Sequence, residues 1–328
     1  MIRNQWYVVL DNREVKNDKV LGVTRLGEKL VFWRDSQGNV HCMADLCPHL
    51  GARLSQGKVV KDALQCPFHG FEYDSSGQCI YLPAYGRNGM IPKALRVKQY
   101  PVCEKQGFIW VYWGEPEGEP ELPKFFESFS DKLSYGSFRQ HWSVHYSRMV
   151  ENQLDVAHLP FVHHNTIGKG GRVLVNGPLV RIEDDLMDIW VFNQQDDGSP
   201  PVKAEDLQAP DRHPSLQFRF PNLWQNWISD DVRIVIAFVP VDDENGIMYG
   251  RFYQGFMKVP GLRELVNQFG VWSSIMIANQ DRRIVNNQFP KKTDLKMGEK
   301  IMQSDRAILA YRRRRFELQN KTGHPETQ

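Results

Sequence analysis

The chain of 328 residues is long enough for about two domains with a sizeable core. Its 41 Lys and Arg against 39 Asp and Glu give a net charge of +2, so charge gives no reason to expect a nucleic-acid partner. No apolar run is long enough for a signal sequence or a membrane-spanning helix. We therefore expect a cytoplasmic protein that is neither exported nor bound to a membrane.

Short segments rich in β-branched and aromatic residues recur through the first part of the chain, separated by turn sequences. They lie at 5–10, 30–34, 40–44, 71–74 and 108–113. Because no helical periodicity competes with them, this part predicts an all-β domain.

Two short motifs in this domain each combine a cysteine, a proline and a histidine. Cys47-Pro48-His49 is followed, after sixteen intervening residues, by Cys66-Pro67-Phe68-His69. Zinc uses the same ligand types, so residue identity alone leaves the metal open. One cysteine and one histidine in each half is, however, how a Rieske 2Fe-2S cluster is held. We therefore predict such a cluster, with zinc as the alternative.

The other cysteines are Cys42, Cys79 and Cys103. Three cysteines outside the two motifs do not indicate a disulfide framework. Their number therefore agrees with a reducing cytosol.

A stretch of Pro, Gly and Glu at 114–123 predicts a domain boundary. We place the first domain at 1–115 and the second at 116–328. In the second, strand-like runs at 173–175, 187–192, 233–239 and 247–254 alternate with helical stretches, which predicts an α+β domain.

A helix predicted over 146–158 places Glu151, Asp155 and His158 on one face. Pro160 disfavours helical geometry just before it, so the helix should end near His158. His163 would then come from the following turn, and both imidazoles could converge on one ion. Two ordinary histidines flanking a helix end are the alternative.

Two histidines need a carboxylate to form the facial triad of a non-haem Fe(II) site. Glu151 would be about 10 Å from His158 along the helix and is too far. Asp155 is better placed to accept the ring N–H of His158. A third candidate, Asp281, interrupts a predicted apolar helix at 262–288, where a buried carboxylate is costly unless it is paired or bound to metal.

An ion pair between Asp281 and either Arg282 or Arg283 is the alternative to metal binding. The residues by themselves leave both possibilities open.

These motifs together resemble the α subunits of Rieske non-haem iron oxygenases, of the α-only type that includes vanillate O-demethylase oxygenase and dicamba monooxygenase. The resemblance covers nearly the whole chain. It lies in 47–55, Gly57, 66–74 and Gly77, in the spacing of Asn152, Asp155, His158 and His163, and in the pattern of Asp281, Ile284 and Gln288.

The resemblance implies an α+β protein in which an all-β Rieske domain precedes a helix-grip (START-like) catalytic domain with an antiparallel sheet. It implies a 2Fe-2S cluster on Cys47, His49, Cys66 and His69, and a mononuclear Fe(II) on His158, His163 and Asp281. It also implies catalytic roles for Asp155 and Asn152. Electrons would pass from His69 of one subunit through Asp155 to His158 of the next in a homotrimer.

The implied activity is that of a terminal monooxygenase component. It would use O2 and electrons from an NAD(P)H-linked reductase, a ferredoxin or both to hydroxylate or O-/N-demethylate a small aromatic or cyclic substrate. A ring-dihydroxylating dioxygenase, a Rieske protein that only transfers electrons, and a ligand-binding protein are the other functions considered.

Several positions differ from related patterns. The family more often has Arg at Leu50, and the disulfide of cytochrome bc-type Rieske proteins is absent because Ala52 and Phe68 occupy its cysteine positions. In cytochrome bc-type Rieske proteins a serine donates a hydrogen bond to the cluster. Phe71 occupies the position of that serine here, whereas their tyrosine is kept as Tyr73. Fewer hydrogen bonds to the cluster predict a lower reduction potential, suited to a ferredoxin-like or flavin donor.

Two further predictions concern the C-terminal region and the substrate pocket. A helix should begin at Ser304-Asp305 with Ser304 as its N-cap, and its arginines 312–315 should form a solvated or subunit-bridging face, with a docking patch as the alternative. The pocket candidates are Phe161, Ile167, Trp224, Asn226, Trp227, Phe238, Ile277 and Ala278.

Overall fold

The computed structural model describes residues 1–127, 129 and 133–321. The chain forms two compact units, one of Arg3–Lys124 and one of Met1–Ile2 with the residues from Phe125 onward. Among the described helices, none has the length and hydropathy needed to span a membrane.

The first unit consists of short antiparallel strands in three small sheets. The strands are β1 (Gln5–Asp11), β2 (Leu21–Arg25), β3 (Glu28–Arg34), β4 (Val40–Ala44), β5 (Lys58–Val60), β6 (Ala63–Gln65), β7 (Glu72–Tyr73), β8 (Cys79–Tyr81), β9 (Val102–Lys105) and β10 (Phe108–Trp113). The sheet orders are β1-β10-β9, β2-β3-β4 and β5-β6-β7-β8. The predicted all-β architecture is therefore present, with several short strands that the sequence does not predict.

The second unit is an antiparallel sheet with three longer helices. Its elements are β11 (Ser134–Trp142), α1 (Tyr146–Leu154), α2 (Leu159–Val162), β12 (Leu174–Glu183), β13 (Leu186–Gln194), β14 (Leu216–Arg219), β15 (Leu223–Ser229), β16 (Val232–Pro240), β17 (Gly246–Gln254), α3 (Leu262–Val285) and α4 (Arg306–Lys321). The seven strands follow the order β11-β17-β16-β15-β14-β13-β12.

An apolar core lies between this sheet and the helices. Alternate strand residues such as Ile189, Phe218 and Phe238 meet Met149 of α1 and Tyr311 of α4 within it. Full burial stabilises the folded state by about 1.5–3 kcal/mol for a large apolar side chain. This packing holds α1 and α3 against the sheet, and both helices contribute residues to the site described below.

The predicted helix over 146–158 is too long at its C-terminal end. The structure ends α1 at Leu154, because Asp155 adopts an extended conformation (φ −71°, ψ 121°) while its N–H still bonds to the Glu151 carbonyl. Pro160 lies in the first turn of α2, where a missing N–H and a fixed φ are tolerated. Asp155 and His158 therefore lie in a connecting loop and not on a helix face.

The predictions for the C-terminal helix are wrong in two respects. Ser304 does not cap it, since a 3₁₀ turn over Gln303–Asp305 precedes α4. Arg312 and Arg315 are not solvated, because both are buried; Arg312 bonds to two carboxylates and Arg315 donates to the Thr293 carbonyl.

Candidate functional site

The two Cys-Pro motifs fold into matching turns. In each, the cysteine N–H donates to a carbonyl five residues later, and a glycine N–H four residues later donates to the cysteine carbonyl. The bonds link Cys47 with Ala52 and Gly51, and Cys66 with Phe71 and Gly70, at N···O distances of 2.8–3.1 Å. Gly51 (φ 74°) and Gly70 (φ 71°) adopt the left-handed conformation that favours glycine.

These turns place thiols inside the first unit and imidazoles at its surface. Cys47 and Cys66 are each only 2% exposed. The His49 and His69 rings are exposed, with centroids 4.7 Å apart, and His49 also stacks on Phe71. The four predicted cluster residues are thus brought together by the two turns.

The raised pKa of the Cys66 thiol opposes its ionisation unless a metal binds it. Burial and the adjacent Cys47 thiol raise the pKa of the Cys66 thiol. A coordinating metal overcomes such a barrier because it deprotonates the thiol outright. The Tyr73 hydroxyl lies 3.2 Å from Cys47 Sγ and can donate to the resulting thiolate. Two buried sulfurs and two adjacent imidazoles therefore fit a 2Fe-2S cluster of the Rieske type.

A second cluster of potential ligands lies in the second unit, where α2 and α3 meet. His158 directly precedes α2, His163 follows it, and Asp281 belongs to the last turns of α3. Asp281 Oδ1 lies 3.0 Å from His163 Nε2 and 3.5 Å from His158 Nε2. One ligand atom from each of the three residues lies within 4.8 Å of the others. The turn around Pro160 thus brings together two histidines five positions apart.

The orientation of these three side chains indicates a cation between them. His158 Nδ1 lies 3.6 Å from an Asp155 carboxylate oxygen, and His163 Nδ1 lies 2.7 Å from the Gln280 amide oxygen. With protons on these outer nitrogens, both Nε2 lone pairs face Asp281 Oδ1, which has no hydrogen-bond partner among the described residues. Three facing acceptors are stable only around a proton or a metal ion, so the donor set fits a 2-His-1-carboxylate metal site.

The pKa values reflect the same proximity. Burial alone would raise the pKa of Asp281, but His158 and His163 lower it to about 2. Burial alone would lower the pKa of His158, but the carboxylates of Asp155 and Asp281 raise it to about 9. A metal at this position would replace the proton that His158 and Asp281 otherwise share.

The other polar residues considered near the triad have different partners. Glu151 makes a bidentate ion pair with Arg312 and stays away from the histidines, as predicted. Asp281 does not use the neighbouring arginines as partners; its second oxygen accepts from Gln153 Nε2 at 3.2 Å. Asn152 does not line the cavity described next, and its buried Nδ2 has no partner among the described residues.

A cavity of about 370 Å³ opens onto the triad. Its apolar wall includes Leu159, Ile167, Val191, Leu216, Trp224 and Ile277, and its polar groups include Gln153, Asn193, Ser215 and Asn226. Lys169 and Arg172 also line it, and neither has an ionic partner in the described part of the chain. Its size and mixed lining suit a small organic ligand.

Four of the eight predicted pocket residues line this cavity, namely Ile167, Trp224, Asn226 and Ile277. The other four do not. Phe161 points to solvent, Trp227 stacks on His213, and Phe238 and Ala278 belong to the apolar core.

Asn193, Lys169 and Arg172 line the cavity although the sequence does not single them out. The one available signal is the alternation along β13, where Asn193 follows Ile189 and Val191 on the same face.

Two family models match the chain. Residues 5–101 match the Rieske [2Fe-2S] domain, and residues 142–321 match the vanillate O-demethylase oxygenase C-terminal domain.

Curated relatives include the oxygenase component of dicamba O-demethylase from Stenotrophomonas maltophilia, 37% identical over 168 residues that make up 49% of this chain and 48% of that protein. The vanillate O-demethylase oxygenase subunit of a Pseudomonas species is 36% identical over 188 residues, 56% of this chain and 51% of that protein. The chain thus spans about half the length of these relatives, and less of others, such as 30% of the chloroplastic protein TIC 55 of Arabidopsis thaliana.

Solved structures match over almost the whole chain. Dicamba monooxygenase bound to dicamba superposes with a TM-score of 0.77 at 21% identity, covering 98% of both chains. NdmA of Pseudomonas putida CBB5 gives a TM-score of 0.77 at 21% identity, covering 98% of this chain and 91% of that one. At such identity the likeness shows the fold alone, and it confirms the predicted fold class.

Proposed function

Because this chain belongs to the Rieske oxygenases with a C-terminal domain of the vanillate O-demethylase type, we propose that it is the terminal oxygenase component of a monooxygenase. In this proposal Cys47, His49, Cys66 and His69 hold the 2Fe-2S cluster. His158, His163 and Asp281 hold the mononuclear Fe(II). The domain division proposed for the chain is a Rieske domain at 1–115 and a catalytic domain at 116–328.

The observation that carries the proposal is the convergence of two histidines and one carboxylate at a cavity of substrate size. When bound, the cluster supplies single electrons and the mononuclear iron supplies open positions at which O2 is activated. A Rieske protein that only transfers electrons has no use for either feature, which makes that alternative the weaker one.

The overall reaction consumes O2, two electrons and two protons for each substrate. One oxygen atom enters a C–H bond and the other leaves as water. If the carbon is an O-methyl or N-methyl group, the hydroxymethyl product breaks its bond to the heteroatom and releases formaldehyde. Direct hydroxylation of a ring is equally compatible with the site.

Asp155 has a distinct part in this proposal. Its Oδ1 accepts from the Ala157 N–H at 2.7 Å, which fixes the carboxylate in the loop, and its Oδ2 faces His158 Nδ1. Its side chain is 29% exposed, so a second imidazole could reach it. We propose that electrons pass from His69 of one subunit through Asp155 to His158 of the next in a homotrimer.

The cavity lining also favours a class of substrate. Trp224, Val191 and Ile277 offer apolar surface for a ring, whereas Lys169 and Arg172 are cations with no ionic partner among the described residues. We propose a small aromatic or cyclic substrate, with a preference for compounds that carry an acidic group.

The other components follow from the reaction. The electrons would come from an NAD(P)H-linked reductase, a ferredoxin or both. A cytoplasmic location without membrane attachment, where such reductants are available, completes the proposal.

A reductase-coupled screen tests the proposed activity. Methoxy-aromatic, N-methyl and unsubstituted ring compounds would be supplied with O2 and NADH, and formaldehyde and hydroxylated products would be measured. We expect formaldehyde in proportion to the demethylated product from at least one methylated compound. Formaldehyde from none of them would remove the demethylase proposal, and a cis-dihydrodiol would identify a ring-dihydroxylating dioxygenase instead.

A further inference from the structure

Gln280 is not one of the proposed metal ligands, but its side chain contacts one of them, His163. Its Oε1 lies 2.7 Å from His163 Nδ1 and 3.2 Å from the Thr166 hydroxyl, which can donate to it or to the His163 carbonyl at 3.3 Å. Gln280 directly precedes Asp281 on α3, so a single helical turn supplies one candidate metal ligand and a partner for another.

The chemistry of this contact determines where the proton of His163 resides. An amide oxygen can only accept, so Nδ1 must carry a proton, and in the neutral imidazole Nε2 then presents its lone pair. Nε2 is the atom that faces Asp281 Oδ1, at 3.0 Å. Since His163 is only 1% exposed, water cannot readily take over the role of the Gln280 oxygen.

The reverse orientation of the amide would have the opposite effect. If the Gln280 amide rotated by 180°, its N–H would donate to Nδ1 and leave the proton on Nε2, which would block metal binding. The observed orientation is therefore the one that prepares His163 as a ligand.

We propose that Gln280, held by Thr166, is a positioning residue that fixes the tautomer and ring orientation of His163 for metal binding. This inference rests on the proposed function, because it concerns the same mononuclear site. Partners of this kind usually change metal affinity by about 10–100-fold when they are removed.

Cobalt binding separates this role from simple packing. Protein that keeps its cluster but is stripped of mononuclear iron would be titrated with Co²⁺ alone by calorimetry. We expect Gln280→Leu to weaken Co²⁺ binding by about 10–100-fold. Gln280→Glu should retain the wild-type affinity or exceed it, because a carboxylate also accepts from Nδ1. Thr166→Val should cause a smaller loss than Gln280→Leu.

Gln268 provides a matched control. It lies on the same helix, is exposed, and has no side-chain bond within the described residues, so Gln268→Leu should leave Co²⁺ affinity unchanged. The thermal unfolding of the second unit, followed by circular dichroism, reports whether each variant is folded, because the cluster spectrum reports only on the first unit.

The outcomes distinguish this inference from the proposed function. Wild-type affinity in Gln280→Leu, or an equal loss in Gln280→Leu and Gln280→Glu, would overturn the positioning role while the metal site stands. Failure of the wild-type protein to bind Co²⁺ at all would overturn both.

Discussion

Asp155 contacts a proposed iron ligand without being one itself. Because it faces His158 from the loop after α1, replacing it should leave the three ligand atoms in place. We expect Asp155→Ala to retain both iron centres, because its 3.6 Å separation from His158 Nδ1 is longer than a hydrogen bond, and to lose about 10–100-fold in turnover. Iron analysis and single-turnover reoxidation of the cluster would measure the two effects. Full activity in Asp155→Ala would disprove the electron path, and the exposed Asp211→Asn serves as the control.

Tyr73 is the side chain that contacts a cluster thiol most directly, at 3.2 Å from Cys47 Sγ. Its hydrogen bond should stabilise the reduced cluster, which carries more negative charge on its ligands. We expect Tyr73→Phe to lower the reduction potential by about 40 mV, the equivalent of a hydrogen bond of about 1 kcal/mol in a one-electron couple. Protein-film voltammetry would measure it, and an unchanged or higher potential would contradict the assignment.

Local motifs allow some site residues to be named from the sequence but not others. Cys47 and Cys66 are recognisable because the turn and the ligand lie within a few residues of each other. Gln280 and Asn193 are not, because their roles arise only when α3 and β13 are packed against the loops around α2. Half of the predicted pocket residues fail for the same reason, since apolar character alone does not distinguish a cavity wall from a core.

Among the elements of the second unit, α1 and α4 are linked by a buried ion pair. Glu151 binds Arg312 through two bonds of 2.8 and 2.7 Å, and both side chains are almost fully buried. Because Glu151→Ala would leave Arg312 buried with half of its partners, we expect a loss of about 3–5 kcal/mol in unfolding free energy. Urea denaturation would measure this, with the exposed Arg313→Ala as control. A loss below about 1 kcal/mol, typical of an exposed ion pair, would refute the argument.

Element boundaries follow from the sequence where side-chain alternation and turn residues agree. The sequence predicts β4 and β10 to the residue, because each is a dense run of strand-forming residues between clear turns. The end of α1 is not predicted, because no proline or glycine marks the extended conformation of Asp155. The burial of Arg312 cannot be predicted from the local sequence either, since its partners Glu151 and Glu299 lie outside α4.

At the scale of the whole molecule, the charge of the cavity makes a prediction about substrates. Lys169 and Arg172 should favour an anion, so 4-methoxybenzoate should bind at least about 10-fold more tightly than the neutral 4-methoxybenzamide of the same shape. A Lys169→Gln, Arg172→Gln double variant should lose this preference. Calorimetric titration of both compounds would measure it, and equal wild-type affinities would refute the role of the two cations.

The overall architecture is predictable because a β-rich half and an α+β half differ in composition and periodicity. The antiparallel order of the seven-stranded sheet is less accessible, since β11, β14 and β15 are not among the strand-like runs predicted from the sequence.

The central claim is that one chain holds both a 2Fe-2S cluster and a mononuclear iron bound by Asp281 and two histidines. Analysis of iron and acid-labile sulfide in purified wild-type protein and in Asp281→Ala tests it most directly. We expect about three irons per two sulfides in the wild type and about two per two in the variant, with the cluster spectrum unchanged. A wild-type ratio of about two per two, or a variant that keeps the third iron, would contradict the account.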